Sequence, residues 1–167
     1  YDIPYWKEIY EKMTWHYIEP YLPERGLVLD AGGGTGKWTI PIADRGLRVV
    51  LYDISDEMLS MARKKIEGSR LEDLVTIKQG DIRRIGFPSE SFDFVLAEGD
   101  PISYCGDPDK AVSELTRVLK AGCFLAAGVD SLFPMVKGTV TQKGPEEAIK
   151  LLHEKRSLIE QWGFSCW

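Results

Sequence analysis

An apolar run that ends in an acidic residue and then breaks into four glycines constrains this chain more than any other feature. Residues 27–36 read Leu-Val-Leu-Asp-Ala-Gly-Gly-Gly-Thr-Gly. Short apolar runs are typical of buried parallel strands, and glycine lets a ligand approach the main chain closely. The residues from Lys37 to Asp44 favour a helix. Strand, glycine turn and helix predict a nucleotide-type α/β unit, whose ligand lies beyond the carboxyl ends of the strands.

The spacing of the glycines separates three kinds of loop. A P-loop needs Gly-x-x-x-x-Gly-Lys and then Ser or Thr, but Ala31 holds the first glycine position and Trp38 replaces the hydroxyl. A dinucleotide loop needs Gly-x-Gly-x-x-Gly, and Lys37 occupies the third glycine position. The remaining pattern is acid-x-Gly-x-Gly-x-Gly, and its residues are Asp30, Gly32, Gly34 and Gly36.

Acidic residues also follow the later apolar runs, which predict strands over residues 48–52, 75–79 and 92–97. A carboxylate after the second strand can accept hydrogen bonds from both hydroxyls of a ribose. One after the third strand can accept a hydrogen bond from an adenine amine. The four carboxylates at successive strand ends are Asp30, Asp53, Asp81 and Glu98.

With the helix and strand predicted over residues 109–125, these motifs resemble the class I S-adenosylmethionine-dependent methyltransferases across residues 27–130. The resemblance implies a Rossmann-like α/β fold, a doubly wound and mostly parallel sheet between two helical layers. It implies S-adenosyl-L-methionine as cofactor and S-adenosyl-L-homocysteine as product. It also implies direct in-line methyl transfer, for which no metal is expected because the sulfonium already activates the methyl group. Residues 100–104, Asp-Pro-Ile-Ser-Tyr, lack the double proline of nucleobase or amide N-methylases and favour a small-molecule acceptor.

The resemblance further implies which residues bind the cofactor. The glycine turn lines the methionine part, Asp53 holds the ribose, and the backbone around Glu98 takes the ammonium. The full predicted set is Tyr5, Asp30, Ala31, Gly32, Gly34, Gly36, Asp53, Ile54, Met58, Gly80, Asp81, Ile82, Glu98, Gly99, Ser103 and Tyr104. No catalytic residue is assigned, because a general base is needed only for some acceptors and no His–Asp pair can be identified.

Aromatic residues crowd the start of the chain, and their spacing predicts a helix there. One interpretation packs the aromatic face of this helix on the edge of the sheet. The other closes the helix over the cofactor pocket, where an aromatic face suits a sulfonium methyl, and Tyr5 is then the first candidate. The rings are those of Tyr1, Tyr5, Trp6, Tyr10, Trp15 and Tyr17.

We predict a single methyltransferase domain over residues 1–167. Residues 1–25 form an N-terminal cap helix, and residues 26–130 form the cofactor-binding core. Residues 131–167 contain an insert, the last helix and the start of a sixth strand. Residues 131–144 show no clear element, and the last helix is predicted over residues 145–161, with Gly163 just past its end. Little sequence follows, so the fold is either trimmed or, as we expect, a fragment or an ordered subset of a longer product.

Two local expectations concern helices of the core. Pro41 falls inside a helix predicted to begin at Lys37, and it should kink that helix because proline lacks a backbone N–H. Met58 and Met61 are predicted to lie in the core, although Met58 is also placed to touch the adenine, since its flexible thioether suits the edge of a flat ring.

Composition limits the partners and the compartment. A net charge of −5 argues against broad binding to nucleic acid, which needs a basic face. The three cysteines are unclustered, and the sequence has neither a run of membrane length nor a signal-type N-terminus. We therefore expect a cytoplasmic protein that is not bound to a membrane; its oligomeric state is not readable from the sequence.

Two other functions stay open at this point. A nicotinamide-linked oxidoreductase uses an acid after the second strand, but the mismatch at Lys37 and the further acids Asp81 and Glu98 argue against it. A non-catalytic subunit of the same fold would bind the cofactor without transferring a methyl group.

Overall fold

The computed structural model describes residues 4–154, 157–159 and 164–166. Its helices are α1 (Pro4–Ile18), α2 (Thr39–Ala43), α3 (Asp56–Ile66), α4 (Pro101–Tyr104), α5 (Pro108–Val118), α6 (Leu132–Lys143) and α7 (Pro145–Glu154), with a 3-10 helix at Glu19–Tyr21. Its strands are β1 (Leu27–Ala31), β2 (Arg48–Asp53), β3 (Val75–Gln79), β4 (Phe92–Ala97), β5 (Leu119–Ala127), β6 (Ser157–Ile159) and β7 (Phe164–Cys166). Among these helices, none has the length and apolar character needed to cross a bilayer.

The first five strands form one parallel sheet in the order β3-β2-β1-β4-β5. Leu29 of β1 lies opposite Val50 of β2 on one side and Val95 of β4 on the other. The order reverses between β1 and β4, which opens a crevice at their carboxyl ends. The predicted parallel α/β sheet is confirmed, and the glycine turn after β1 lies at this crevice.

Helices cover both faces of the sheet because successive strand residues point to opposite faces. Leu29 packs in a buried cluster with Leu115 of α5, whereas its neighbour Val28 packs in a second cluster with Ile42 of α2. A third cluster joins Leu51 of β2 to Leu59 of α3. The predicted three-layer arrangement is therefore confirmed.

The C-terminal part differs from the prediction in two places. Residues 131–144, for which no element is predicted, contain α6; Pro134 lies in the first turn of that helix, where a missing N–H is tolerated. The last helix ends at Glu154, and Ser157–Ile159 forms β6, which pairs antiparallel with β7. The predicted helix over residues 145–161 is thus too long, and Gly163 lies outside the described residues.

The predicted kink at Pro41 is wrong because α2 begins at Thr39 rather than at Lys37. Pro41 therefore lies in the first turn, where helical N–H groups have no intrahelical partner. Lys37 belongs to the turn that precedes the helix. The helix thus begins two residues later than predicted.

The predicted burial of Met58 and Met61 is also wrong. Their exposed fractions are 45% and 52%, since α3 turns the face with Leu59, Ala62 and Ile66 toward the sheet. Met58 directly precedes Leu59, and adjacent residues of a helix do not share a face, so the Met58 side chain points away from the buried face. Met58 therefore stays available to a ligand at the end of β2.

Candidate functional site

The glycine loop leaves β1 and turns back over the end of β2. The Gly32 N–H donates to the carbonyl oxygen of Tyr52 at 2.7 Å. Gly32, Gly34 and Gly36 have φ values of +77°, +54° and +79°, which glycine adopts without steric cost. A Cβ on Gly32 would lie 2.6 Å from the Cβ of Pro101. The loop therefore requires glycine for its conformation and for its close approach to α4.

Asp53 connects the glycine loop to the end of β2. Its Oδ2 accepts a hydrogen bond from the Gly34 N–H at 2.9 Å, and its Oδ1 accepts one from the Ser55 N–H at 2.8 Å. The Ser55 hydroxyl oxygen in turn accepts from the Met58 N–H at 3.3 Å, so Ser55 caps the N-terminus of α3. Each carboxylate oxygen keeps a further lone pair, so the fixed Asp53 carboxylate can still accept hydrogen bonds from a ribose.

Asp30 lies buried beneath the same loop. Its Oδ2 accepts a hydrogen bond from the Thr39 hydroxyl at 2.5 Å, whereas its Oδ1 has no partner among the described residues. Burial raises the pKa of Asp30 to about 6; the Thr39 hydrogen bond opposes this effect, and the charges of Asp53 and Glu98 add to it. Buried polar atoms are nearly always paired, so this orphaned oxygen and its neighbouring acids suit a cationic ligand.

Glu98 follows β4 on the other side of the crevice. Its Oε2 accepts hydrogen bonds from the Tyr10 hydroxyl at 2.7 Å and from the Gly99 N–H at 3.3 Å. Burial, followed by the hydrogen bond to Glu98, raises the pKa of the Tyr10 hydroxyl, which therefore stays protonated as a donor. The crevice thus has a glycine loop on one wall and a fixed carboxylate on the other.

Tyr10 is a residue that the sequence patterns did not single out. The candidate they favour, Tyr5, has an exposed fraction of 57% and lies farther toward the start of α1. Thr14 and Ile18 are buried, and Tyr10 precedes them by one and two intervals of four residues, which places all three on one helix face. That spacing to the buried residues distinguishes Tyr10 from Tyr5, the ring that the sequence analysis favours.

Asp81 is charge-paired with its neighbour Arg83. Nη2 of Arg83 donates to Oδ2 of Asp81 at 2.6 Å, and Nε donates to both carboxylate oxygens at 3.0 Å. The Arg83 hydrogen bonds hold the pKa of Asp81 below its usual range. Beside it, a Cβ on Gly80 would lie 1.9 Å from the Tyr52 hydroxyl oxygen, so glycine is required there. Binding of adenine by Asp81 stays a prediction.

The other predicted residues differ in accessibility. Ile54 has an exposed fraction of 64% beside Asp53, whereas the side chains of Ala31 and Ile82 are buried in the core. Ala31 can therefore offer a ligand only its main chain. Ile54, together with Met58, forms an exposed apolar surface at the end of β2 that suits a flat ring.

Ser103 and Tyr104 of α4 hold the segment after β5. The Ser103 hydroxyl oxygen accepts a hydrogen bond from the Asp130 N–H at 2.9 Å, and the Tyr104 hydroxyl donates to Oδ2 of Asp130 at 2.5 Å. Ser103 is buried. Their direct contact with a cofactor stays a prediction, and their observed contacts fix Asp130 close to the crevice.

Two surface cavities flank α1. One, of about 520 Å³, lies between α1 and the turn at Lys37 and Trp38. The other, of about 550 Å³, lies between α1 and β5 and includes Glu98 and Phe124 in its lining. Asp53 lines neither of these two cavities.

Comparison with known proteins gives a consistent result. A family model described as a methyltransferase domain matches residues 28–122. A phosphatidylethanolamine N-methyltransferase of Cereibacter sphaeroides is 39% identical over 97 residues, which is 58% of this chain and 47% of that protein. A ubiquinone/menaquinone biosynthesis C-methyltransferase of Vibrio vulnificus is 36% identical over 103 residues, which is 57% of this chain and 37% of that protein.

A solved structure gives the same result. A SAM-dependent methyltransferase from Methanosarcina mazei is 28% identical, with a TM-score of 0.59, and the match covers 65% of this chain and 54% of that chain. The chain spans less than half the length of the two curated relatives. The family match extends from β1 through α5 and includes the glycine loop, Asp53 and Glu98. The chain therefore belongs to the methyltransferase domain family, within the class I S-adenosylmethionine-dependent methyltransferases.

Proposed function

We propose that this chain transfers a methyl group from S-adenosylmethionine to a small-molecule acceptor by direct in-line displacement. The observation that carries the proposal is the glycine loop held to the Asp53 carboxylate through Gly34 at 2.9 Å, with the buried Asp30 beneath it. When bound, the cofactor supplies a methyl group already activated by its sulfonium. The residues of the chain then need to bind, orient and enclose the reactants.

The acidic residues have separate tasks in this proposal. Asp53 accepts hydrogen bonds from the ribose hydroxyls, because its carboxylate is fixed and keeps free lone pairs. Asp30 and Glu98 supply negative charge on the two sides of the crevice, which favours the ammonium and sulfonium groups. Asp81 accepts a hydrogen bond from the adenine amine while Arg83 keeps it charged.

The chain contributes to the reaction chiefly by positioning. Holding the acceptor and the methyl group in line makes a bimolecular step effectively unimolecular. This positioning lowers the activation barrier by ~7–11 kcal/mol. The cavity of about 550 Å³ beside Glu98 has the size of a site for a small molecule. Met13 and Phe124, in its lining, favour an acceptor with an apolar part.

No general base is assigned. His16 lies in α1 and His153 in α7, and neither follows a strand of the sheet. An amine acceptor loses its proton after transfer, whereas a hydroxyl or an acidic carbon needs a base. The two curated relatives are named as one N-methyltransferase and one C-methyltransferase, so they support a small-molecule acceptor without selecting the atom.

The experiment uses S-adenosylmethionine labelled with tritium in the methyl group and a cell extract divided into small-molecule, protein and nucleic-acid fractions. We expect label to enter the small-molecule fraction with the wild-type chain and to be lost with Asp53→Ala. Transfer to protein or nucleic acid alone would contradict the proposed acceptor class. Binding of S-adenosylhomocysteine without transfer to any fraction would favour the non-catalytic subunit.

A further inference from the structure

Helix α1 is anchored to the rest of the molecule mainly at its C-terminal end. Ile18 has an exposed fraction of 3% and packs in the cluster of Val28 and Ile42. Toward the start of the helix, Ile9 and Tyr5 have exposed fractions of 46% and 57%. Among the side chains of α1 that the structure describes, apolar burial therefore lies at the C-terminal end, and Tyr10 makes polar and ring contacts nearer the start.

Tyr10 supplies these contacts to both walls of the crevice. Its hydroxyl donates to Glu98 at the end of β4 at 2.7 Å. Its ring lies 4.7 Å from the Nζ of Lys37, which directly follows the glycine loop, and 6.4 Å edge-on from the ring of Trp38. The Lys37 Nζ also pairs with Glu11 of α1 at 3.3 Å. One side chain thus connects α1 to the glycine-loop wall and to the Glu98 wall.

We propose that Tyr10 is a positioning residue that ties α1 across the mouth of the cofactor crevice and thereby slows release of the cofactor. The inference rests on the proposed function. A hydrogen bond from a hydroxyl to a carboxylate is among the stronger ones, and it holds Glu98 in one orientation. The cation of Lys37 over the Tyr10 ring holds the same residue from the opposite wall.

The geometry separates this role from ordinary packing. Tyr10 has an exposed fraction of 44%, so its ring contributes little to the buried core. Removing only its hydroxyl leaves the ring beside Lys37 and Trp38 in place. The contacts that cross the crevice can therefore be broken one at a time without opening the core.

The experiment measures the rate at which tritiated S-adenosylhomocysteine leaves the protein after a chase with unlabelled compound. Tyr10→Phe removes the hydrogen bond to Glu98, and Lys37→Met removes the cation beside the ring. We expect Tyr10→Phe to raise the dissociation rate about tenfold, as loss of one hydrogen bond to a charged group does. We expect Lys37→Met to raise it about threefold, as loss of a cation beside an exposed ring does. The midpoint of thermal unfolding without ligand should fall by no more than about 4 °C, because only one contact is lost in each variant.

Two control variants lie on the same helix. Tyr17→Phe removes a hydroxyl from a residue with an exposed fraction of 64% whose ring contacts His16, and Lys12→Met removes a cation paired with Glu8. Both should release the compound at the wild-type rate. Rates within twofold of wild type for Tyr10→Phe and Lys37→Met, or equal acceleration by the controls, would overturn the proposal. A wild-type protein that binds no S-adenosylhomocysteine would instead contradict the proposed function.

Discussion

Asp30 is the carboxylate whose surroundings differ most from water. It is fully buried, and one of its oxygens has a partner in Thr39 while the other has none among the described residues. Burial disfavours the charged form of a carboxylate, which is why the pKa of Asp30 rises to about 6. A cationic ligand nearby would reverse that preference, so the free protein holds this site at a cost in stability.

The pH dependence of unfolding tests this description of Asp30. Its folded pKa is about 6 and its unfolded pKa is about 3.9, so the folded state binds more protons between these values. The contribution of Asp30 to stability therefore falls as the pH rises through that window. In urea unfolding, the difference between wild type and Asp30→Asn should change by about 2 kcal/mol between roughly pH 4 and pH 7. A difference that is independent of pH would contradict the assigned pKa.

At this scale the sequence predicts contacts between near neighbours and misses distant ones. Asp53 and the Ser55 cap lie within one turn of each other, so strand and helix patterns suffice to place them. Tyr10 and Glu98 are 88 residues apart. Their hydrogen bond depends on how α1 crosses the sheet, which local patterns do not determine.

At the scale of elements, the glycine loop joins β1 to α2 through glycines that no other amino acid can replace without a loss of stability. Gly32 combines a left-handed φ of +77° with close contact to Pro101 of α4. Gly46, in the turn after α2, has a similar φ of +86°, but no heavy atom lies within 4 Å of the position that a Cβ would take there. A comparison of the two glycines therefore distinguishes the stability cost of backbone strain from that of steric contact.

We expect Gly32→Ala to destabilise the chain more than Gly46→Ala does. Both variants incur the left-handed backbone cost of about 1–2 kcal/mol, and only Gly32→Ala also forces Pro101 to move, at about 1–3 kcal/mol for an overpacked site. Denaturant unfolding of both variants measures the difference. Equal losses of stability would show that α4 does not pack against the loop as described.

The sequence correctly predicts the elements whose apolar residues form one uninterrupted pattern. Strands β1 to β4 follow runs of apolar residues, and all are confirmed. The helix α6 escapes prediction because Pro134 and Gly138 interrupt its pattern. The end of α7 escapes it because Ser157–Ile159 pairs with Phe164–Cys166 instead of continuing the helix.

At the scale of the whole molecule, the order of the strands places the site. The reversal between β1 and β4 creates the crevice, and it brings Asp53 and Glu98 to one edge of the sheet from opposite sides. Sequence patterns predict the parallel sheet and this edge. They leave open whether α1 packs on the edge of the sheet or reaches across this crevice, because the buried side chains described in α1, Thr14 and Ile18, lie toward its C-terminal end.

Thermal unfolding with ligands tests which cofactor this crevice takes. A ligand at about a hundredfold its dissociation constant adds ~2.7 kcal/mol to the free energy of unfolding, which for a chain of this size raises the midpoint by about 5–10 °C. We expect S-adenosylhomocysteine to produce such a shift and NADH to produce none. A shift with NADH alone would favour the nicotinamide-linked oxidoreductase.

The most direct test of the central claim is calorimetric titration of S-adenosylhomocysteine into wild type, Asp53→Ala and Asp56→Ala. Asp56 is the matched control, since it lies three residues away with a side chain 67% exposed and paired with Arg63. We expect one-to-one binding to wild type, a loss of about 10- to 100-fold in affinity for Asp53→Ala, and wild-type affinity for Asp56→Ala. Equal affinity of Asp53→Ala and wild type, or no heat with wild type, would contradict the claim that the acidic edge of this sheet binds the cofactor.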